Sequence, residues 1–243
     1  MKKNGKRNRL IAAITIFSLI FIGFFAVVEA REFVRTNSLD LTDIEKEGIL
    51  FMREEEKLAR DVYQYFYGLY DSIPIFNNIA ESEQRHMDSI KTLIDNYGLA
   101  DPIEGKDIGE FENQELQQLY YDLVAVGSNS LNSALEIGAE IEEIDIIDLK
   151  EYISQTDKVD INRVYNNLLK GSESHLRAFV KTLKARGVTY LPKHLSQEEF
   201  DDIINKGPRS TVLTKRAGNM LLLNNRFQTR IQKMLMFLIR GNK

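Results

Sequence analysis

The sequence contains no cysteine and no tryptophan, and it has only four prolines among its 243 residues. Without cysteine the chain can form no disulfide, no thiolate metal site and no lipid attachment through a thiol. The scarcity of proline, together with abundant Glu, Leu and Ile, favours an all-α protein over a sheet protein. The length suits one helical domain of ordinary size with appended segments.

Charge is distributed unevenly along the chain. Residues 1–28 hold five basic and no acidic residues, and residues 203–243 hold nine basic and no acidic residues. The part between these ends therefore holds all 36 acidic residues and 18 basic ones, a net charge of −18. This excess argues against nucleic acid as a partner of the central domain and is compatible with the attraction of cations. A solvated acidic surface accounts for most of these charges.

A hydrophobic run without charge, residues 10–28, follows the basic N-terminus. It is longer than the ~7–15 residues of a usual signal core and close to the ~20 residues that span a bilayer. Val28, Glu29 and Ala30 also offer small residues at which a signal peptidase would cut. We therefore expect residues 1–30 to be a signal peptide or an N-terminal membrane anchor. Either one makes the rest of the chain extracytoplasmic, membrane-anchored or secreted.

Apolar residues recur at helical spacing in four long segments. These run from about residue 41 to Tyr70, from Phe76 to Tyr97, from about Ser130 past Leu149, and from Asp160 to about Arg186. A long connection and a short helix, 114–126, separate the second segment from the third, which is the crossover that a ferritin-like bundle needs. The pattern predicts an all-α, ferritin-like four-helix bundle over residues 41–204. Residues 205–243 form a basic extension with an amphipathic helix that packs on the bundle, lies on a membrane or mediates assembly.

Each of the four segments carries polar side chains within its apolar face. Glu83 and His86 are three residues apart in the second segment and so share one face. The others are Glu55 or Glu56 in the first segment, Glu142 with Asp145 in the third, and Ser172 with His175 in the fourth. Spacing does not choose between Glu55 and Glu56. A carboxylate buried alone is costly, so we expect these residues to form a dinuclear metal site.

Other polar residues have ordinary roles by the same helical spacing. Glu54 points away from the apolar face of its segment, and Glu140 and Glu143 lie on the solvated side of theirs. His194 follows the last long segment and is expected at the surface. The alternative for the whole set is a structural bundle whose polar core is satisfied by hydrogen bonds.

Three stretches of the sequence carry a resemblance to a known group of proteins. Glu56-Lys-Leu-Ala-Arg-Asp-Val-Tyr63, followed by Glu83-Gln-Arg-His86, resembles the rubrerythrin and ferritin-like di-iron families. The sequences of the longer stretches 51–63, 80–87 and 171–179 resemble more closely an uncharacterised bacterial and archaeal ferritin-like domain of unknown function. The resemblance covers about residues 45–204.

The resemblance implies a set of ligands and a reaction. The ligands are Glu56, Glu83, His86, Glu142 and His175, with Asp145 as an additional oxygen, for two ions of iron, or of manganese. Tyr63 would assist as a hydrogen-bond donor or radical site. The chain departs from the pattern at Ser172, where a carboxylate would stand, which puts the second ion in doubt.

The reaction so implied is oxidation of Fe(II) by O₂ or peroxide. Because the chain has no cysteine, it has no rubredoxin-like iron site, and electrons would come from an external donor. The rival interpretation is a non-catalytic, metal-sequestering or structural helical module with a degraded site. The sequence leaves the oligomeric state open.

Overall fold

A computed structural model of the chain describes residues 40–71 and 73–205. The predicted segment 1–30 lies outside the described residues, as does all of the predicted extension 205–243 except its first residue. Within the described part there are six helices and no strand, so the predicted all-α class is confirmed. The helices belong to one compact unit that begins at Asp43. None of these described helices is long and apolar enough to span a membrane.

The helix boundaries follow from local sequence signals. We number the helices α1 (Asp43–Leu69), α2 (Pro74–Tyr97), α3 (Gln114–Gly127), α4 (Leu131–Ile153), α5 (Val159–Ala185) and α6 (Gln197–Asn205). Pro74 occupies the first turn of α2, where its missing N–H costs nothing. Gly98 ends α2 with a left-handed φ of 64°. Asn113 and Ser130 cap α3 and α4 through their side chains.

Each of the four long helices, α1, α2, α4 and α5, packs against two of the others, so that together they surround one interior. α1 packs most extensively on α2, and α4 on α5; α2 also contacts α5, and α1 contacts α4. The shorter α3 packs against α1 and α4, and α6 packs against α5. The interior between the four long helices therefore receives side chains from all of them.

Aromatic side chains fill part of this interior. The rings of Tyr63 and Phe76 both pack against Phe179, with centroids 5.3 and 6.0 Å apart, and Phe66 packs against Phe76 at 5.6 Å. Gly138 allows this packing, because a Cβ there would lie 2.5 Å from the Phe179 ring. The apolar layer borders the polar cluster described below through Tyr63.

The face of α1 that points away from the interior is also buried. Residues 98–113 cover it, and Glu54 accepts hydrogen bonds from the backbone N–H groups of Glu112 and Asn113 at 2.6 and 3.0 Å. Asp61 accepts from Gly109 N–H at 2.8 Å and from Lys57. Glu54 thus does point away from the apolar interior, but it is buried because the crossover connection folds over it.

Candidate metal centre

Five of the predicted site residues meet in the interior, and four different helices supply them. Glu56 comes from α1, the Glu83 and His86 pair from α2, Glu142 from α4 and His175 from α5. The three-residue spacing of Glu83 and His86 places both on the inner face of α2. The structure therefore brings together side chains that are up to 119 positions apart in the sequence, from Glu56 to His175.

The first cluster consists of Glu56, Glu83 and His86. His86 Nδ1 lies 3.0 Å from Glu56 Oε2 and 2.7 Å from Glu83 Oε2. One ligand atom from each of the three residues lies within 4.8 Å of the others, which is the spacing around a single cation. Glu56, rather than its neighbour Glu55, belongs to this cluster.

The second cluster consists of Glu83, Glu142 and His175. His175 Nδ1 lies 2.7 Å from Glu83 Oε1 and 3.5 Å from Glu142 Oε2. Glu83 is common to both clusters, and each of its two oxygens faces a different imidazole. The rings of His86 and His175 are stacked, with centroids 5.5 Å apart.

Several buried polar atoms of the two clusters have no hydrogen-bond partner among the described residues. They are Glu56 Oε1, both carboxylate oxygens of Glu83, and His175 Nδ1. Each Glu83 oxygen lies 2.7 Å from an imidazole nitrogen and is thus ion-paired with it when the imidazole is protonated. Buried polar groups are nearly always paired. A cation bound between these atoms would give them the partners that they lack.

Charge coupling within the clusters is strong. Burial alone would raise the pKa of the Glu83 carboxyl, but His175 and His86 hold that pKa well below its usual range. Burial alone would lower the pKa of each imidazole. The carboxylates of Glu56 and Glu83 instead raise the pKa of His86 to about 11, and those of Glu83 and Glu142 raise the pKa of His175 to about 10. Both imidazoles are thus protonated at neutral pH when no metal is bound, and a cation would displace these protons.

Access to the clusters is from the imidazole side. The side chains of His86 and His175 are 12% and 10% exposed, while those of Glu56, Glu83 and Glu142 are 1–2% exposed. Gly171 on α5 lies against His86, and a Cβ at this glycine would be 2.4 Å from His86 Nε2. The imidazole edges therefore separate the carboxylates from solvent.

Tyr63 and Asp145 border the clusters. Tyr63 is fully buried, and its hydroxyl donates a hydrogen bond of 2.7 Å to Glu142 Oε1. Asp145 lies one turn after Glu142 on α4 and accepts a hydrogen bond from Ser172 on α5. Burial and the charge of Glu142 raise the pKa of Asp145 to about 8. Ser172, which departs from the expected pattern, thus contacts Asp145, the carboxylate that was predicted as an additional ligand.

Glu55 is buried beside the site but belongs to neither cluster. Its carboxyl hydrogen-bonds to Asp148, and burial together with the charges of Asp148 and Asp145 raises its pKa well above the usual range. Helical spacing left Glu55 and Glu56 equivalent because both point inward. The structure distinguishes them, because Glu55 contacts Asp148 of α4 whereas Glu56 contacts His86 of α2.

Two expectations about acidic residues on α4 are wrong. Glu140 and Glu143 are fully buried rather than solvated. Glu143 accepts hydrogen bonds from the Tyr190 hydroxyl and from the backbone N–H groups of residues 193–195. Glu140 contacts Lys193 Nζ at 2.6 Å and His194 Nε2 at 3.1 Å. His194 is accordingly half-buried against Glu140 rather than free at the surface, because the segment after α5 folds back over α4.

A separate concave surface lies along α1, α2 and the connection after α2, with a volume of about 520 Å³. Its cations are all paired with acidic groups: Arg53 with Asp101, Lys57 and Arg60 with Asp61, Lys91 with Asp95, and Lys106 with Glu112. None of the residues that line this surface has a buried side-chain polar atom without a hydrogen-bond partner, in contrast to the two clusters.

Comparison with known proteins places the chain in a family. Residues 45–207 match the family described as "Uncharacterized protein domain (DUF2202)". The chain belongs to this family. Every residue of the two clusters lies within the matched range.

The relatives of this DUF2202 protein include one of known structure. The chain is 48% identical over 165 residues to "Uncharacterized protein MJ0754" of Methanocaldococcus jannaschii, covering 68% of this chain and 89% of the relative. The crystal structure of hypothetical protein MJ0754 from Methanococcus jannaschii is similar to this structure, with a TM-score of 0.68 and 47% identity. That similarity covers 70% of this chain and 97% of the crystallised one.

Proposed function

We propose that this DUF2202 protein is a ferritin-like metal protein that holds two ions of iron, or of manganese, and oxidises Fe(II) with O₂ or peroxide. The observation that carries the proposal is the sharing of Glu83 by two clusters, each with its own imidazole and its own second carboxylate. One carboxylate between two imidazoles provides positions for two neighbouring cations rather than one.

The donor set fits iron or manganese. It consists of three carboxylates and two imidazoles, and the chain has no cysteine to offer a soft thiolate. Oxygen and imidazole donors suit these metals, whereas structural zinc sites usually include thiolates. The buried oxygens without hydrogen-bond partners are satisfied if cations bind between them.

The arrangement of the helices supports a ferritin-like four-helix bundle. The four long helices form a closed series of contacts, and the connection that contains α3 joins α2 to α4 as a long crossover. Di-metal bundles of this kind place Glu and Glu-x-x-His residues on the inner faces of their helices. Glu56, the Glu83 and His86 pair, and Glu142 follow this scheme.

The side chains around the clusters have distinct tasks in this proposal. Fe(II) held by the residues of the two clusters would supply the electrons for reduction of O₂ or peroxide. His86 and His175 present Nδ1 to the interior and leave their partly exposed edges toward solvent, where a small oxidant and water enter. The Tyr63 hydroxyl donates a hydrogen bond to Glu142 Oε1 and so fixes the orientation of that carboxylate. An external donor would have to supply electrons for repeated turnover, because the chain has no cysteine and so no cysteine-bound iron site.

The location of this chemistry follows from the N-terminal sequence. The basic residues and the uncharged run at 10–28 support export, either with cleavage or with retention as an anchor. The clusters would then act outside the cytoplasm, attached to a membrane or secreted. The strongly acidic central part of the chain would attract cations to them.

A second function is favoured by Ser172. This residue lies one turn before His175, where a further carboxylate would complete the ligand set, and a site with fewer anionic ligands would bind metal without supporting oxidation. In that case the protein is a non-catalytic, metal-sequestering module. The two functions differ in oxygen consumption.

The experiment that tests catalysis is oxygen uptake by the full-length protein. The protein is loaded anaerobically with Fe(II), mixed with oxygenated buffer and monitored with an oxygen electrode. The matched variants are Glu83→Gln in the clusters and Glu81→Gln, which is exposed on the same helix. We expect uptake by the wild type and Glu81→Gln proteins and background uptake by Glu83→Gln. Bound iron without uptake above that background would establish the sequestering module and contradict the oxidase.

A further inference from the structure

The contact between Ser172 and Asp145 links α5 to α4 directly beside the clusters. Ser172 is fully buried, and its hydroxyl lies at hydrogen-bond distance from Asp145 Oδ2 and 3.1 Å from the carbonyl oxygen of Leu168. Ser172 therefore holds one oxygen of Asp145 in place.

The other oxygen of Asp145 has no hydrogen-bond partner among the described residues. Asp145 is 5% exposed, so water does not readily satisfy this atom. Asp145 lies three residues after Glu142 on α4, and the two side chains therefore share one face of the helix. The charge of Asp145 acts on Glu56 of α1, and the charges of Glu83 and Glu142 act on Asp145 in turn. Asp145 therefore borders the clusters, although its carboxylate is not among the ligand atoms that lie within 4.8 Å of one another in either cluster.

Stereochemistry explains why Ser172 and Asp145 occur together. A serine Oγ occupies about the position that Cγ would occupy in a glutamate at the same residue. An acceptor oxygen hydrogen-bonded to this Oγ then occupies the space that the glutamate carboxylate would fill. The Asp145 carboxylate thus stands where a longer acidic side chain at residue 172 would end, but it is delivered from α4.

The charge balance of the buried site also favours one further carboxylate ligand. The five residues of the two clusters bring three carboxylates, whereas two divalent cations bring four positive charges. A fourth carboxylate would make the buried assembly neutral, which lowers the cost of removing it from water. Two nearby carboxylates outside the clusters, Glu55 and Asp145, have a buried oxygen without a hydrogen-bond partner, and Asp145 is the one that shares a face of α4 with Glu142.

We propose that Asp145 is the sixth ligand residue of the centre, with Oδ2 held by Ser172 and Oδ1 available to the metal. This inference rests on the proposed two-metal function and names the residue that completes it. In this view Ser172 is a positioning residue rather than the mark of a lost site. The carboxylate that the di-metal pattern places on α5 is then supplied by α4.

The test is an exchange of the two side chains in the full-length protein. Metal content is measured by elemental analysis after anaerobic Fe(II) loading, and affinity is measured by titration with Co(II), followed by its visible absorption. The variants are Asp145→Asn, Ser172→Ala, and the double variant Asp145→Ser with Ser172→Glu, which returns the carboxylate to α5. Asp157→Asn, which is exposed, is the matched control.

We expect Asp145→Asn to hold about one ion where the wild type holds two, and Ser172→Ala to keep both ions with about 10-fold weaker affinity. The exchange variant should regain the second ion, and Asp157→Asn should match the wild type. This recovery is not expected of a merely structural contact between the two residues.

The opposite results are equally clear. Two ions of unchanged affinity in Asp145→Asn would overturn the role of Asp145 while leaving the two-metal function standing. Absence of metal in the wild type would instead overturn the proposed function itself. If Asp145→Asn does not fold, the exchange variant decides: a folded exchange variant without the second ion overturns the inference.

Discussion

Glu83 is the residue on which the account depends most. It is 1% exposed, yet its carboxylate stays ionised because protonated imidazoles from α2 and α5 lie on either side. A buried carboxylate is expensive unless it is paired with cations. In the metal-free protein the two imidazolium groups fill this role. Metal ions would take it over and release their protons.

Gly171 provides a test at a single residue. Alanine there would place a Cβ 2.4 Å from His86 Nε2, so the imidazole has to shift from its present position in the first cluster. We expect Gly171→Ala to remain helical and folded but to lose about one bound ion, with at least about 10-fold weaker affinity at that cluster. Elemental analysis after Fe(II) loading measures the loss.

Gly68→Ala is the matched control for this change. Gly68 is also helical, but nothing lies within 4 Å of an added Cβ. Alanine should stabilise that helix by about 0.5–1 kcal/mol without changing metal content. Equal metal content in Gly171→Ala and Gly68→Ala would show that His86 does not need its present position.

At the scale of the element, α4 carries acidic residues on two faces with different tasks. Glu142 and Asp145 point toward the interior, while Glu140 and Glu143 bind the segment that follows α5. Three backbone N–H groups and a tyrosine hydroxyl satisfy Glu143. This second face fixes α4 against residues 190–195 and so helps to hold Glu142 in register with the clusters.

The ion pair between Lys193 and Glu140 predicts a pH dependence of stability. Burial alone would raise the pKa of Glu140, but the hydrogen bond from His194 and the charge of Lys193 lower it below 4.5, the ordinary value. Below this value the unfolded state binds more protons than the folded state. The stabilisation is therefore complete above about pH 4.5 and is lost as the pH falls through the folded-state pKa.

Lys193→Met should remove much of this contribution. We expect the free energy of unfolding of the metal-free protein to fall by about 1–3 kcal/mol at pH 7, and the difference from wild type to shrink as the pH falls through the folded-state pKa. Urea denaturation across this pH range measures both effects. Lys181→Met, at an exposed position of α5, should change stability little. A loss that is the same at every pH would contradict the ion-pair explanation.

At the scale of the whole molecule, the sequence was sufficient to predict where the helices lie. Apolar spacing predicted the second helix as 76–97 and the last long one as 160–186, against Pro74–Tyr97 and Val159–Ala185 in the structure. Such boundaries are local properties, set by capping side chains, by Pro74 and by Gly98. The inward position of Glu56, Glu83 and His175 could also be predicted, because each of them lies on the apolar face of its helix and that face points to the interior.

The sequence was not sufficient to predict what covers the outer faces. Helical spacing gives the direction of Glu54, Glu140 and Glu143 relative to their own helix only. Whether such a residue meets water depends on distant segments, here the connection before α3 and the segment after α5. The contact of Ser172 with Asp145 could not be predicted for the same reason. It joins two helices, and the sequence of neither helix alone shows which residue of the other it meets.

Metal content of the histidine variants tests the central claim most directly. Full-length wild type, His86→Ala, His175→Ala and the double variant are loaded anaerobically with Fe(II) and analysed for iron. His194→Ala is the control, because His194 contacts Glu140 and lies in neither cluster. We predict about two ions in the wild type and in His194→Ala, about one in each single variant and none in the double variant, since each imidazole belongs to one cluster. Equal iron in all five proteins, or none in the wild type, would contradict the account.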